Sequence, residues 1–175
     1  MTDSHRKGAD GELEVRDLIQ AWWSAIEPKT KFNRAPLSGG WHAASDQQTA
    51  GDLLVTPGSN WPWAVEVKRR EKWSPSRALR GFASPMWNWW AQAVRDAATI
   101  DKYPMLWARR SGGEWIVLVS EKQYDERWQA PTPRFQWDEW PPRKYIGTNW
   151  GLTLPCPVGY LAPELLKTDP AAWVV

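Results

Sequence analysis

The run Trp63-Ala-Val-Glu-Val-Lys68 has the composition of a strand that a core must cover. Side chains alternate along a strand, so Ala64, Glu66 and Lys68 share one face while Trp63, Val65 and Val67 share the other. An acid and an amine on such a strand stand at the edge of a core, where a charge needs a reason to be. Asp52-Leu-Leu-Val55 reads as a second strand and Pro57-Gly-Ser-Asn60 as a turn, which predicts a hairpin bringing Asp52 beside Glu66. Two carboxylates near a phosphate suit a hard divalent cation such as Mg²⁺. Glu12 stands at the rim of the first helix's apolar face and is placed to reach the same pocket. Lys68, protonated, cannot ligate a metal; its role would be to neutralise charge on a pentavalent phosphate or to hold the attacking water. The alternative is a solvated ion pair on an exposed sheet face, contributing under about 1 kcal/mol.

The surrounding pattern predicts an α/β domain. Val15, Leu18, Ile19, Trp22 and Ile26 recur at helical spacing, giving a helix over 10–26 that ends before Pro28. Residues 31–36 read as a short strand entering the flexible loop Leu37-Ser-Gly-Gly40. A second helix over 86–101 carries Trp90, Ala93, Ala97 and Ile100 as its stripe, and strands over 105–108 and 115–119 form a hairpin around Ser111-Gly-Gly113. The order is helix, three strands, helix, two strands. Eight of the 15 prolines lie beyond residue 120, where periodicity is lost. Residues 1–120 are therefore the expected core, and 121–175 a Pro/Trp-rich extension packed on that core or forming an interaction arm.

Sixteen tryptophans in 175 residues, against three Phe and four Tyr, mean that indoles do much of the core filling or that some stack on bases or sugars. Trp87, Trp89 and Trp90 fall on different sides of one helix, so at least one is expected to face solvent, a partner subunit or DNA. A formal net charge of +2 is too balanced to name a partner by itself. One cysteine, Cys156, and two histidines, His5 and His42, leave little room for a Cys/His zinc site. His42, beside the glycine loop, is either structural or a base. No apolar run approaches a membrane span and no signal peptide is evident, so a cytoplasmic protein without a membrane partner is expected.

Gly8 and Glu12 on a helix, Ser38-Gly-Gly40, Gly51-Asp52, Val65-Glu66-Val67-Lys68 and Trp89-Trp90-Ala91-Gln92-Ala93 follow one another in the order of the PD-(D/E)XK nuclease motifs. Over residues 6–119 the chain resembles that superfamily, and within it Holliday junction resolvases of the archaeal type, including phage-encoded versions. The resemblance implies a restriction-endonuclease-like core, a central mixed sheet flanked by helices in α-β-β-β-α-β order. It implies Glu12, Asp52 and Glu66 as metal ligands for Mg²⁺, with Mn²⁺ as a substitute, and Lys68 as the catalytic lysine. Gln92 would hold water or backbone, and Ser38, or else Ser45, would assist near the scissile phosphate. The proline of the family's name is Gly51 here. A resolvase of this kind acts as a homodimer on branched DNA, above all four-way junctions, in recombination and repair. Other nucleases of the superfamily acting on linear or single-stranded DNA, and a non-catalytic DNA-binding protein of the same fold, are the alternatives.

Charge near the proposed strand agrees. Between residues 66 and 80, Lys68, Arg69, Arg70, Lys72, Arg77 and Arg80 face only Glu66 and Glu71. With Arg6 and Lys7 these form an expected phosphate track, the alternative being a solvated basic loop. Arg109 and Arg110 read as ordinary surface charge.

Overall fold

The computed structural model describes residues 3–35, 50–80, 82–120 and 157–173. Helix α1 (Asp3–Trp23) begins earlier than the apolar stripe does, because its first turns are polar and need no core beneath them. Its inner face, Val15, Ile19, Trp22 and Trp23, is buried. Two short strands follow, β1 (Phe32–Arg34) and β2 (Leu53–Val55), paired antiparallel with Asn33 opposite Leu54.

The main sheet has four strands in the order β3 (Trp63–Arg70), β4 (Tyr103–Arg110), β5 (Ile116–Ser120) and β6 (Pro157–Leu161). Strands β3 and β4 are parallel, with Glu66 opposite Leu106, and parallel neighbours need a crossover. That crossover contains α2 (Pro75–Leu79) and α3 (Pro85–Ala98), each opened by a Ser-Pro pair that sets its first turn. The β4–β5 hairpin forms as the sequence predicts. Strand β6 then adds antiparallel to β5, and α4 (Ala162–Leu165) and a short 3₁₀ turn (Pro170–Trp173) follow it.

The hairpin expected between the Asp52 and Glu66 strands does not form. The ladder partner of β2 is β1, and where the chain passes β3 just before β2 it does so at Gly51, in a left-handed conformation rather than as a pleated strand. A single backbone bond, Asp52 N–H to Val65 O at 2.7 Å, ties the start of β2 to β3.

Each face of the main sheet has its own core. Helix α1 covers Val65, Val67, Met105, Trp107 and Val117, and α3 covers Leu106, Ala108, Ile116 and Leu118 with Met86, Trp87 and Trp90. Of the eleven tryptophans among the described residues, ten are buried, so for these the core-filling account holds. Trp22, Trp23, Trp61, Trp63 and Trp173 meet largely edge to face at centroid distances of 4.8 to 6.4 Å, and each such pair adds about 1 kcal/mol beyond area burial. On the other side, Trp87 and Trp90 are both buried and half-buried Trp89 lies edge-on to Trp73 at 5.3 Å. Of these three indoles only Trp89 keeps part of its surface open, as expected of at least one of them.

Candidate active site

The site lies where β3, the edge strand of the main sheet, meets the start of β2. The alternation along β3 is as the sequence predicts: Glu66 and Lys68 point to one face, and Lys68 Nζ donates to Glu66 Oε1. Both are enclosed, the Glu66 side chain 4% and the Lys68 side chain 16% exposed, so this is not a solvated surface pair.

Asp52 is held by the backbone. Its Oδ2 accepts from Val67 N–H at 2.8 Å while its own N–H donates to Val65 O, so two consecutive links fix the carboxylate over the Val65–Val67 segment. Gly51 makes this approach possible. Its φ is +90°, and a Cβ there would stand 2.5 Å from Val65 O. A proline, locked near φ −65°, cannot occupy that conformation, which accounts physically for glycine at this position.

Glu12, 6% exposed, comes from α1, and its Oε2 accepts from Arg34 Nε at the end of β1. Arg34 is a residue the sequence reading missed: its only signal was its place at the end of a short strand. A second such residue is Asp96, one turn beyond Gln92 on α3, whose charge acts on Glu66. Gln92 Nε2 lies 3.5 Å from Asp96 Oδ2 on the same helix.

Burial dominates the electrostatics. Loss of solvent pushes the Asp52 carboxyl up to about 8, and neighbouring Glu66 pushes the same way against Lys68 and the Val67 hydrogen bond. Glu66 is also raised, first by burial and then, against the pull of Lys68, by Asp96 and Glu12. Acids crowded in this way are stabilised by a cation.

Among the described residues no three His, Cys, Asp or Glu side chains gather as a ready-made metal cage. Of the ligand set expected from Glu12, Asp52 and Glu66, Glu12 pairs with Arg34 while its charge still acts on both Asp52 and Glu66. Asp52 and Glu66 fit a hard divalent ion that keeps water and phosphate oxygens in its remaining positions.

Of the basic residues, Arg70, Lys72, Arg77 and Arg80 are exposed, as is Arg6, and Lys7 pairs with Glu71 at 2.7 Å. Arg69 is turned to the opposite face from Lys68, under Gly11 of α1. Arg109 is not ordinary surface charge. Its side chain is 13% exposed, pairs with Glu14 and lies 4.4 Å from the centroid of Trp115, whose Nε1 donates to Glu14 at 3.0 Å. Arg110 is exposed. Ser38, Ser45 and His42 lie outside the described residues.

A family model described as "Phage putative PDDEXK endonuclease" matches residues 3–138, spanning α1, Asp52, Glu66, Lys68 and α3. The chain belongs to this family. Its chemistry is therefore that of a nuclease, and the α/β architecture is that of a PDDEXK core. The chain is also similar to "Protein D14" of Escherichia phage T5, 26% identical over 120 residues that cover 67% of this chain and 71% of that protein. No solved structure matches. Among the described residues of this PDDEXK protein, no helix is long and apolar enough to cross a membrane.

Proposed function

We propose that this chain is a Mg²⁺-dependent endonuclease selective for branched DNA, a Holliday junction resolvase acting as a homodimer in the cytoplasm of the infected cell. The observation that carries the reaction is the enclosed Lys68–Glu66 pair beside an Asp52 fixed by Val67 N–H. Asp52 and Glu66 would hold the ion, and Mn²⁺ would substitute for it. When bound, the divalent cation supplies charge neutralisation at the scissile phosphate and acidifies water. In this reading the Lys68 ammonium stabilises charge gained by the non-bridging phosphate oxygens in the transition state. Glu12, kept oriented by Arg34, and Gln92 position water. Exposed Arg6, Arg70, Lys72, Arg77 and Arg80 contact flanking phosphates. Ser38 is the proposed loop hydroxyl near the scissile phosphate. A two-fold junction matches a two-fold dimer, which would cut opposing strands symmetrically. Residues 1–120 carry the chemistry in this reading, and 121–175, of which 157–161 add β6 to the main sheet, contribute to substrate choice.

The test is cleavage of labelled four-way junction, linear duplex and single strand with Mg²⁺, with Glu66→Ala and Lys68→Ala alongside. Symmetric nicking of the junction alone, lost in both variants, is the expected result. Equal cutting of linear duplex would move the protein to another nuclease class. Tight junction binding without any cutting would identify a non-catalytic member of the fold.

A further inference from the structure

Phe82 is 48% exposed, one of three large apolar side chains so exposed among the described residues. It is nevertheless held in place. Its N–H donates to Arg77 O at 3.0 Å, and its carbonyl accepts from the indole Nε1 of buried Trp87 at 3.0 Å. Two exposed guanidiniums lie against its ring, Arg77 at 5.2 Å and Arg80 at 5.7 Å from the centroid. Among the described residues neither pairs with a carboxylate. Arg80 Nε is spent on Ser76 O at 3.1 Å, which fixes the guanidinium further.

The surrounding sequence sharpens the chemistry. No Asp or Glu occurs from Lys72 through Arg95, a stretch that carries Lys72, Arg77, Arg80 and Arg95. This stretch leads from the strand bearing Lys68 to the helix bearing Gln92. An exposed aromatic ring on a hydrogen-bonded backbone, flanked by arginines that pair with no carboxylate among the described residues, matches a partner that is polyanionic and has flat π-faces.

We infer that Phe82, flanked by Arg77 and Arg80, is a stacking platform for an unpaired base of the DNA substrate. The inference rests on the endonuclease reading and deepens it. A paired duplex keeps its bases stacked inside, so the platform is used only where a strand is open, as at a junction centre or a frayed end. It makes Phe82 a specificity residue and leaves the chemistry to Asp52, Glu66 and Lys68.

The experiment measures binding of the full chain, with Mg²⁺ present, to nuclease-resistant phosphorothioate DNA. The probes are a short single strand, the same strand with abasic sites, and a blunt duplex. The native chain should bind the base-bearing strand roughly tenfold more tightly than the abasic one. Phe82→Ala should abolish that difference, Phe82→Trp should retain it, and duplex affinity should stay within about twofold in both. Arg77→Ala should lower the salt slope by about 0.7 on either single strand. An unchanged base-to-abasic ratio in Phe82→Ala overturns the inference, as does equal weakening on both strands or an equal Phe82-dependent affinity for polyglutamate. If the native chain cuts junctions while Phe82→Ala behaves as native in every binding assay, only the platform falls. If the native chain binds no DNA at all, the endonuclease reading falls with it.

Discussion

A Cβ placed on Gly51 would stand 2.5 Å from the carbonyl oxygen of Val65, closer than real structures allow. The bare α-carbon lets the chain cross β3 at that point, and the next residue is Asp52. Gly51→Ala should therefore remove both the backbone tie and the position of the carboxylate, costing about 2 kcal/mol or more through the clash and the left-handed φ. Gly58 is the internal control: its φ is +79° and nothing lies within 4 Å of a Cβ there. Gly58→Ala should cost about 1 kcal/mol and leave cleavage unchanged. Urea unfolding and junction cleavage on both variants check the pair.

The crowding of Asp52 and Glu66 separates stability from activity. Burial is the main reason that both carboxyls are raised, so holding them charged at neutral pH works against the metal-free fold. Asp52→Asn keeps an acceptor for Val67 N–H and deletes the charge. It should raise the melting temperature of the metal-free protein by a few degrees at pH 8 while abolishing cleavage. A variant that is both inactive and less stable would show that Asp52 is structural. Adding Mg²⁺ should raise the melting temperature of the native chain and leave that of Asp52→Asn unmoved.

Lys68 is enclosed with Glu66, and its charge also acts on Asp52. Lys68→Met keeps the apolar stem and removes the ammonium. The expected loss is on the order of 10²-fold or more in kcat at saturating DNA, with affinity changed only a few fold, as for loss of a transition-state contact. Single-turnover cleavage gives both quantities. A loss confined to binding would make Lys68 one more phosphate contact.

The part of this architecture legible in the sequence is the part with a period. Strand β3 announced itself because polar and apolar residues alternate, and Glu66 with Lys68 came with it. The helical stripe of Val15, Ile19 and Trp22 was equally plain, and the β4–β5 hairpin had a Gly-Gly turn. The pairing of β2 with β1 was not legible, because three-residue strands carry too few alternations to choose a partner and the deciding contact is the backbone of Gly51. Arg34 and Asp96 were missed for a related reason: each reaches the site from a separate element, and spacing along the chain says nothing about that meeting. Arg109 looked like hairpin-tip charge, but Glu14, distant in sequence, pairs with it and Trp115, across the hairpin, stacks on it.

Strand β6 and Trp173 make a different prediction, about the far end of the chain. Trp173 is fully buried against Trp22, Trp63 and Tyr160, and its Nε1 donates to Thr168 Oγ1 at 2.8 Å. Trp173→Ala should cost roughly 3 to 5 kcal/mol, the usual range for emptying an indole-sized site. Truncation at residue 120 should abolish cooperative unfolding, since it also removes the antiparallel partner of β5. Thermal unfolding followed by near-UV circular dichroism reads both variants.

The last prediction concerns acid. Glu27 lies just past α1, and its carboxylate accepts from Ser59 Oγ at 2.6 Å, Thr30 Oγ1 at 2.7 Å, Trp23 Nε1 at 3.0 Å and both the backbone and side-chain nitrogens of Asn60. Burial alone would raise its pKa, but these donors outweigh it and bring the group from 4.5 to about 2. A depressed carboxylate contributes stability that is complete above its unfolded value and lost as pH falls toward its folded one, so the window is roughly pH 5 to 2. Glu27→Gln should melt several degrees below the native chain at pH 7, with the gap closing as pH falls through that window. Melting curves of both proteins across the range check it, and a gap that stays constant with pH would mean that the five donors stabilise the turn by shape rather than by charge.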